Sequence, residues 1–265
     1  MSGEHWYTQN GESAHSQPTK SKSAKNPTRP TTIRDAKELK LLPSVTSILR
    51  TIANPALDRW KQMQVVKACI DRPIIADEEW EDYTHFILEK AQEEAQDAAD
   101  LGSKIHAGLE NRIKGIQKDG DDEVKQYVNA GIEKLIELGL EVHESEFVTV
   151  SPRYGYAGTC DLAYSKGKVC GIVDFKSKRT KKDEPVVPSF GHAAQIAAYH
   201  VSYWSRDGDI RDNSIGYNVY ISTTEPGRVE VVSYDAATMR KEFSELFLPA
   251  CQVWRYKNNY DPRLA

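Results

Sequence analysis

Two short stretches of sequence, Tyr156-Ala157-Gly158-Thr159-Cys160-Asp161 and Gly171-Ile172-Val173-Asp174-Phe175-Lys176, decide the fold of this chain. A short polar turn joins them, and the alternation of residue types is typical of a β-hairpin. Residues two apart in a strand share one face of a sheet, so Asp174 and Lys176 point the same way. The pattern therefore predicts a charged site on one face of a hairpin.

The turn between the two strands sets their register. With Lys166-Gly167 as the turn, Asp161 lies opposite Ile172, and Asp161 and Asp174 become diagonal neighbours on one face, about 7–8 Å apart at Cα. A one-residue change of register would move Asp161 to the other face, so the site depends on this turn. At that separation both carboxylates can bind one hard cation.

The residue types at this point favour metal-assisted phosphate chemistry. Two carboxylates that converge repel each other unless a cation or a proton separates them. Ligand sets made only of oxygen favour Mg²⁺ or Mn²⁺ over zinc. Lys176 brings an ammonium group that can stabilise charge on a phosphate or orient a water molecule. The alternative is a surface strand with a simple Asp–Lys ion pair, because Asp-x-Lys is a common tripeptide.

Apolar periodicity in the rest of the chain predicts helices, three strands, a helix, two strands and a helix, which is typical of an α/β protein. A long helical pattern covers residues 77–114, and Gly102 is expected to break or bend it. Another helix is expected at 122–138, one starts at Pro188, and the last is expected to kink at Pro249. The strands are expected at residues 142–150, 155–164, 168–176, 214–222 and 228–234.

The charge of the chain is unevenly distributed. Of 265 residues, 39% are hydrophobic and 28% are charged, and the formal net charge is −4. Residues 77–100 carry ten acidic side chains and one lysine, so the remainder is net positive. Local charge steers a polyanion more than net charge does, so nucleic acid is not excluded as a partner. Residues 13–32 contain no acidic residue and are rich in Ser, Thr, Pro and Lys, which predicts a flexible basic arm.

Apolar runs and cysteine spacing indicate the compartment. The longest apolar runs are too short for a transmembrane helix, so no membrane partner is expected. The four cysteines, at positions 69, 160, 170 and 251, show no C-x-x-C spacing. This spacing argues against a zinc ribbon and a disulfide scaffold, and it indicates a reducing compartment.

Three further features lie around the hairpin in sequence. Gly102-Ser103-Lys104-Ile105-His106 places His106 one helical turn after a glycine. Gln195 and Tyr199 share a helix face at a spacing of four residues. A basic run directly after the predicted site could neutralise a phosphate backbone; it consists of Lys176, Lys178, Arg179, Lys181 and Lys182.

Taken together, these residues resemble the PD-(D/E)XK nuclease superfamily, in its RecB-type exonuclease branch. The matching residues follow in the expected order: Gly102 to His106, Glu146, Gly158 to Asp161, Asp174-Phe175-Lys176, and Gln195 to Tyr199. Upstream, Leu42-Pro43-Ser44-Val45-Thr46-Ser47-Ile48-Leu49 followed by Trp60 is similar to the subfamily of the mitochondrial genome maintenance exonuclease and its phage-encoded relatives.

The resemblance implies an α/β fold with a PD-(D/E)XK restriction-endonuclease-like core, in which helices flank a central mixed sheet. That core would span residues 101–265. Residues 34–100 would form a helical arch or clamp over the active site, and residues 1–33 would be the flexible basic arm.

The resemblance also implies roles for individual residues. Asp161, Asp174 and the backbone carbonyl of Phe175 would bind Mg²⁺ or Mn²⁺, and His106 would bind or position a second ion. Lys176 would be the catalytic lysine. Glu146 would support the catalytic site. The residues that would bind the nucleic acid are Gln195, Tyr199, Lys178 and Arg179. No iron–sulfur cluster is expected, because Cys251 stands alone near the C-terminus.

The function implied is a metal-dependent DNA exonuclease that prefers single-stranded DNA ends. Its setting would be phage DNA replication, recombination or degradation in the host cytoplasm, with phage recombination or replication proteins as candidate partners. Two alternatives remain open. One is a duplex-specific exonuclease that feeds single-strand annealing recombination. The other is a non-catalytic DNA-binding module on a retired nuclease fold, although no residue of the site is missing.

Overall fold

The computed structural model describes residues 4–19, 26–116, 121–205 and 208–264. Its helices are α1 (Ile33–Leu39), α2 (Val45–Leu49), α3 (Pro55–Asp71), α4 (Trp80–Ile113), α5 (Lys125–Leu138), α6 (His192–Trp204), α7 (Ala236–Lys241) and α8 (Leu248–Asn258). Its strands are β1 (Trp6–Tyr7), β2 (Ser16–Pro18), β3 (Thr28–Pro30), β4 (Leu42–Pro43), β5 (Glu141–Ser151), β6 (Tyr156–Lys166), β7 (Val169–Lys178), β8 (Ile215–Ser222) and β9 (Val229–Asp235).

A five-stranded mixed sheet with the order β5-β6-β7-β8-β9 forms the centre of the fold. Strands β7 and β8 are parallel, and the other neighbours are antiparallel. Helix α6 makes the crossover that a parallel pair requires. Successive residues of β7 face opposite layers, because Ile172 packs with α6 and the C-terminal helices, whereas Val173 packs with α4 and α5. The prediction of an α/β protein with a mixed sheet flanked by helices is confirmed.

The hairpin register differs from the expected one by two residues. Ile172 pairs with Ala163 rather than with Asp161, and Lys166 pairs with Val169. The turn is therefore Gly167 and Lys168, with Gly167 in the left-handed region at a φ of 61°. A shift by two residues preserves the face of every side chain. The expected register is thus wrong, but Asp174 keeps its expected face.

The N-terminal segment is ordered where the structure describes it, so the expected flexible arm is wrong there. Trp6 is 0% exposed and packs edge-on against Trp254, with ring centroids 5.9 Å apart. Strand β1 pairs with β4, and β2 pairs with β3. Arg29 forms an ion pair with Asp35 in the first turn of α1. These anchors outweigh the polar composition of the segment. Residues 1–3 and 20–25 of the expected arm lie outside the described residues.

Gly102 does not break the long helix into two elements, contrary to the expected break. Helix α4 runs without interruption from Trp80 to Ile113. The glycine lies at a close approach of this helix to β7. A Cβ atom on Gly102 would lie 2.7 Å from the Ser177 Oγ. The expected boundary between residues 100 and 101 therefore falls inside a single helix.

The expected arch region divides into two parts. Helices α1 and α2 belong to the main core through Ala36, Val45 and Ile48. Only α3 and the first half of α4 form a separate small cluster, centred on Ala68 and Tyr83. Among the described residues, no helix is both long and apolar enough to cross a membrane.

The C-terminal helices differ from the sequence expectation in detail. Helix α6 begins at His192 rather than at Pro188, because Gly191 adopts a φ of 85° and caps it. A six-residue π-helical segment, Glu242–Phe247, precedes α8, in which Pro249 is the second residue. Proline lacks the N–H that would continue a regular hydrogen-bond ladder.

Acid is expected to destabilise the protein through His200, which is 1% exposed. Its Nδ1 has no hydrogen-bond partner within the described ranges, and burial lowers its pKa to about 4. The unfolded chain binds the proton more tightly, so stability falls as pH drops from about 6.5 to 4, by about 3 kcal/mol. Urea unfolding of His200→Gln should show a shallower loss over that window. His85→Gln on the exposed face of α4 is the control; equal slopes for wild type and His200→Gln would refute the assignment.

Candidate active site

Asp161, Asp174 and Lys176 converge where β6 and β7 separate. The ladder between the two strands ends at Leu162 and Val173, so Asp161 and Asp174 are the next residues beyond it. There the Phe175 backbone N–H donates to Asp161 Oδ2 at 2.6 Å, in place of a strand partner. Lys176 Nζ lies 2.7 Å from Asp174 Oδ2. The predicted meeting of two carboxylates and one ammonium group is present.

Burial and mutual charge shift the pKa values of this group. Burial raises the pKa of Asp174, and the neighbouring charge of Asp161 raises it further, whereas Lys176 opposes the shift. Burial lowers the pKa of Lys176, but Asp174 and Asp161 outweigh it and hold the pKa above its usual value. Lys176 is thus held as a cation beside Asp174, whose own pKa lies above its usual value.

His106 approaches the same group from α4. Its Nδ1 lies 3.5 Å from Asp161 Oδ1, and its ring stands edge-on to Phe175 at a centroid distance of 6.3 Å. Burial lowers the pKa of His106, but the charge of Asp161, its hydrogen bond to His106 and the charge of Asp174 together outweigh burial and raise the pKa. For Asp161, burial raises the pKa, while His106, Lys176 and the Phe175 N–H together hold it below the usual value. His106 and Asp161 therefore each favour the charged form of the other.

Glu146 lies on β5 with an unusual backbone. Its φ is 46°, a left-handed conformation that costs a non-glycine residue about 1–3 kcal/mol and is concentrated at functional sites. Burial raises its pKa to about 7, with further contributions from Asp161 and Glu110, whereas His106 opposes the shift. Near neutral pH Glu146 is therefore a carboxyl group that can accept or release a proton.

The donor set fits a hard divalent cation that keeps part of its water shell. Within the described ranges, no three side chains of His, Cys, Asp and Glu form a ready-made metal site. Mg²⁺ does not require one, because proteins hold it through one or two carboxylates together with waters and substrate phosphates. Asp161, Asp174 and the Phe175 carbonyl would supply protein oxygens, and His106 stands beside Asp161.

Two of the predicted nucleic-acid residues are buried. Tyr199 is 3% exposed and packs on Gly158, while Gln195 is 8% exposed and its Nε2 donates to the Tyr199 hydroxyl at 3.4 Å. Gln195 also lines a cleft beside Lys176. As placed, Tyr199 supports Gln195 instead of facing solvent.

The other two predicted cations lie at the end of β7, with Lys178 as its last residue and Arg179 directly after it. Lys178 donates to the Val187 carbonyl, and its Nζ lies 5.6 Å from the centroid of the Tyr220 ring. Arg179 is exposed and lines a cleft with Ser177. Arg179 is thus presented to solvent, whereas Lys178 is engaged within the protein.

Two clefts flank the charged group. The larger, of about 740 Å³, lies between the start of α3 and the start of α6. It contains the side chains of Arg50, Lys61, Lys176, Phe190, His192 and Gln195, among others. The smaller, of about 500 Å³, contains His106, Glu110, Glu146 and Ser177. Lys176 of the charged group therefore faces the larger cleft, and His106 faces the smaller one.

Three residues near the site were not predicted. Asn218 on β8 donates to Asp174 Oδ2 at 2.8 Å, and an amide inside an apolar strand was a usable signal. Glu110 follows His106 by four residues, a spacing that shares a helix face. Tyr7 accepts a hydrogen bond from the Thr159 backbone N–H at 3.2 Å, and no local pattern links these distant positions.

Gly158→Ala is expected to displace Tyr199, because a Cβ there would lie 2.8 Å from Cε1 of the ring. Overpacking of this kind costs about 1–3 kcal/mol. Thermal unfolding should show the full loss of stability when Gly158→Ala is made in the wild type. The loss should be smaller when Gly158→Ala is added to Tyr199→Leu. Strictly additive losses would mean that the two side chains do not compete for the same space.

Comparisons with known proteins add no family. No family model matches the chain, and no curated protein matches it. One similar solved structure is described as "Crystal structure of SSO0001". It is 14% identical, the alignment covers 75% of this chain and 88% of that chain, and the TM-score is 0.31. Similarity at this level carries no inference about the fold or the activity of this protein.

Proposed function

We propose that this protein is a metal-dependent DNA exonuclease with a PD-(D/E)XK core. The observation that carries the proposal is the ion pair of Asp174 and Lys176 beside Asp161, at the end of a hairpin and between two open clefts. Burying such a group is costly, because charged side chains lose their hydration. Its presence therefore favours a functional role over a purely structural one. The order of the site residues along the chain agrees with the superfamily that they resemble.

The chemistry proposed is hydrolysis of a phosphodiester bond. A divalent ion, when bound, would supply a Lewis acid for the phosphate and lower the pKa of a water molecule. Asp161 and Asp174 hold negative charge at the point where that ion binds. Lys176 places a fixed cation where negative charge develops on the phosphate. Glu146, whose pKa is near 7, and His106 are placed to hold or move a proton on the side of the smaller cleft.

Single-stranded DNA is the proposed substrate. The larger cleft combines cations with an aromatic ring, since Phe190 is 54% exposed beside Lys61 and Lys176. Grooves that bind single strands use this combination, in which cations track the backbone and aromatic rings stack on bases. A setting in phage DNA replication, recombination or degradation is proposed from the resemblance of residues 42–60 to the phage-encoded relatives.

The test is a time course on end-labelled oligonucleotides with Mg²⁺, with Mn²⁺ or with a chelator. We expect linear single strands to be degraded only with metal, and circular single strands to persist. Asp161→Asn should be inactive. Preference for duplex ends would favour the duplex-specific alternative, and cleavage of circles would indicate an endonuclease. DNA binding without cleavage by the wild type, or equal cleavage by Asp161→Asn, would refute the proposal.

A further inference from the structure

A buried chain of hydrogen bonds reaches Asp174 from the neighbouring strands β8 and β9. Asn218 lies at the centre of β8, is 0% exposed and stands level with Asp174 in the parallel register. Its Nδ2 donates to Asp174 Oδ2 at 2.8 Å. Its Oδ1 accepts a hydrogen bond from the Tyr234 hydroxyl at 2.9 Å. The chain therefore runs from Tyr234 on β9 through Asn218 to Asp174.

The position of Asn218 calls for an explanation beyond packing. Asparagine is disfavoured in strands, and burying an amide without partners costs about 1–3 kcal/mol or more. The three residues that follow it in β8, Val219, Tyr220 and Ile221, are also buried. Here both ends of the amide are satisfied, and their orientation is determined. A carboxylate only accepts hydrogen bonds, so the NH₂ group must face Asp174 and the amide oxygen must face Tyr234.

Both donors to Asp174 reach the same oxygen. Lys176 Nζ lies 2.7 Å from Oδ2, and Asn218 Nδ2 lies 2.8 Å from the same atom. A carboxylate held at one oxygen by two donors presents the other oxygen, Oδ1, to a cation. Groups that orient metal-binding side chains in this way commonly change metal affinity by about 10–100-fold when they are removed.

We propose that Asn218, itself oriented by Tyr234, is a positioning residue that fixes the Asp174 carboxylate for metal binding. The inference rests on the proposed function, because it assigns a role toward the same ion. It predicts that metal affinity, measured without DNA, depends on two residues that never touch the metal or the substrate.

The experiment is a Mn²⁺ titration of the full chain. Binding is measured by calorimetry and by the rise in Tm with metal. We expect Asn218→Leu to weaken Mn²⁺ binding by about 10–100-fold and Tyr234→Phe to weaken it less. In the Asn218→Leu background, Tyr234→Phe should not weaken Mn²⁺ binding further, because the hydrogen bonds that link Tyr234 to Asp174 are already lost. Excess Mn²⁺ should restore DNA cleavage by Tyr234→Phe.

Tyr164→Phe is the matched control. Tyr164 is also fully buried, and its hydroxyl donates to the Ile215 carbonyl at 2.8 Å, but this hydrogen bond does not reach Asp174. The control should lose stability and keep its Mn²⁺ affinity. If Asn218→Leu does not fold, Tyr234→Phe alone carries the test.

The outcomes separate the inference from the proposed function. If the wild-type protein binds no Mn²⁺, both the proposed function and this inference are refuted. Wild-type affinity in Tyr234→Phe and Asn218→Leu, or equal weakening by Tyr164→Phe, would overturn the inference and leave the nuclease proposal intact.

Discussion

Lys176→Met is expected to slow DNA hydrolysis by about 10²–10⁴-fold, because it removes the cation that offsets charge at the reacting phosphate. Methionine keeps most of the volume of the side chain, so the fold should persist. The measurement is the single-turnover rate on an end-labelled single strand at saturating Mn²⁺. Lys125→Met is the control, since the side chain of Lys125, at the start of α5, is 69% exposed and its Nζ lies 3.7 Å from Asp122 Oδ1.

The same substitution is expected to lower stability by about 3–5 kcal/mol, because it leaves a buried carboxyl without its ammonium partner. The side chain of Asp174 is only 4% exposed. Asp174→Asn in the same chain should recover much of this loss, since it removes the uncompensated charge while the double variant stays inactive. Wild-type turnover by Lys176→Met, or a double variant that is less stable than the single one, would contradict the assignment.

Gly171→Ala is expected to lower the free energy of unfolding by more than about 4 kcal/mol or to prevent folding, because no space exists for a side chain. A Cβ at this position would lie 1.7 Å from the Ile215 carbonyl oxygen of the neighbouring parallel strand and 2.8 Å from the Tyr164 ring. The backbone of β8 would have to move away from β7, which carries Asp174 and Lys176.

Urea unfolding measures this effect. Gly167→Asn is the matched control, because Gly167 has a φ of 61° and nothing lies within 4 Å of an added Cβ. Asparagine tolerates the left-handed region, so the control should stay within about 1 kcal/mol of the wild type. A Gly171→Ala protein as stable as the control would show that β7 and β8 are not paired as described.

The sequence was sufficient for the parts of the site that depend on strand period. Asp174 and Lys176 share a face because the period of two allows nothing else, and an error of two residues in the hairpin register did not matter. An error of one residue would have moved Asp161 away from the site. His106 was accessible to sequence reasoning because helical spacing places it one turn after Gly102.

Contacts between distant segments were not accessible from one sequence. The polar stretch at residues 13–32 is predicted to be flexible because composition averages over a window, whereas two buried aromatic residues upstream, Trp6 and Tyr7, anchor the described part of the N-terminal segment. Gly102 looked like a break because glycine weakens an isolated helix, and only the approach of Ser177 explains it. Asn218 belongs to the site through the parallel register of β7 and β8, which local patterns do not reveal.

Anomalous diffraction from crystals soaked in Mn²⁺ tests the proposed metal centre most directly. We expect one peak at about 2.0–2.4 Å from carboxylate oxygens of both Asp161 and Asp174, with the Lys176 ammonium group on the same side. A well-ordered site without a peak between the two carboxylates, in crystals where Mn²⁺ is bound elsewhere, would contradict the proposed nuclease.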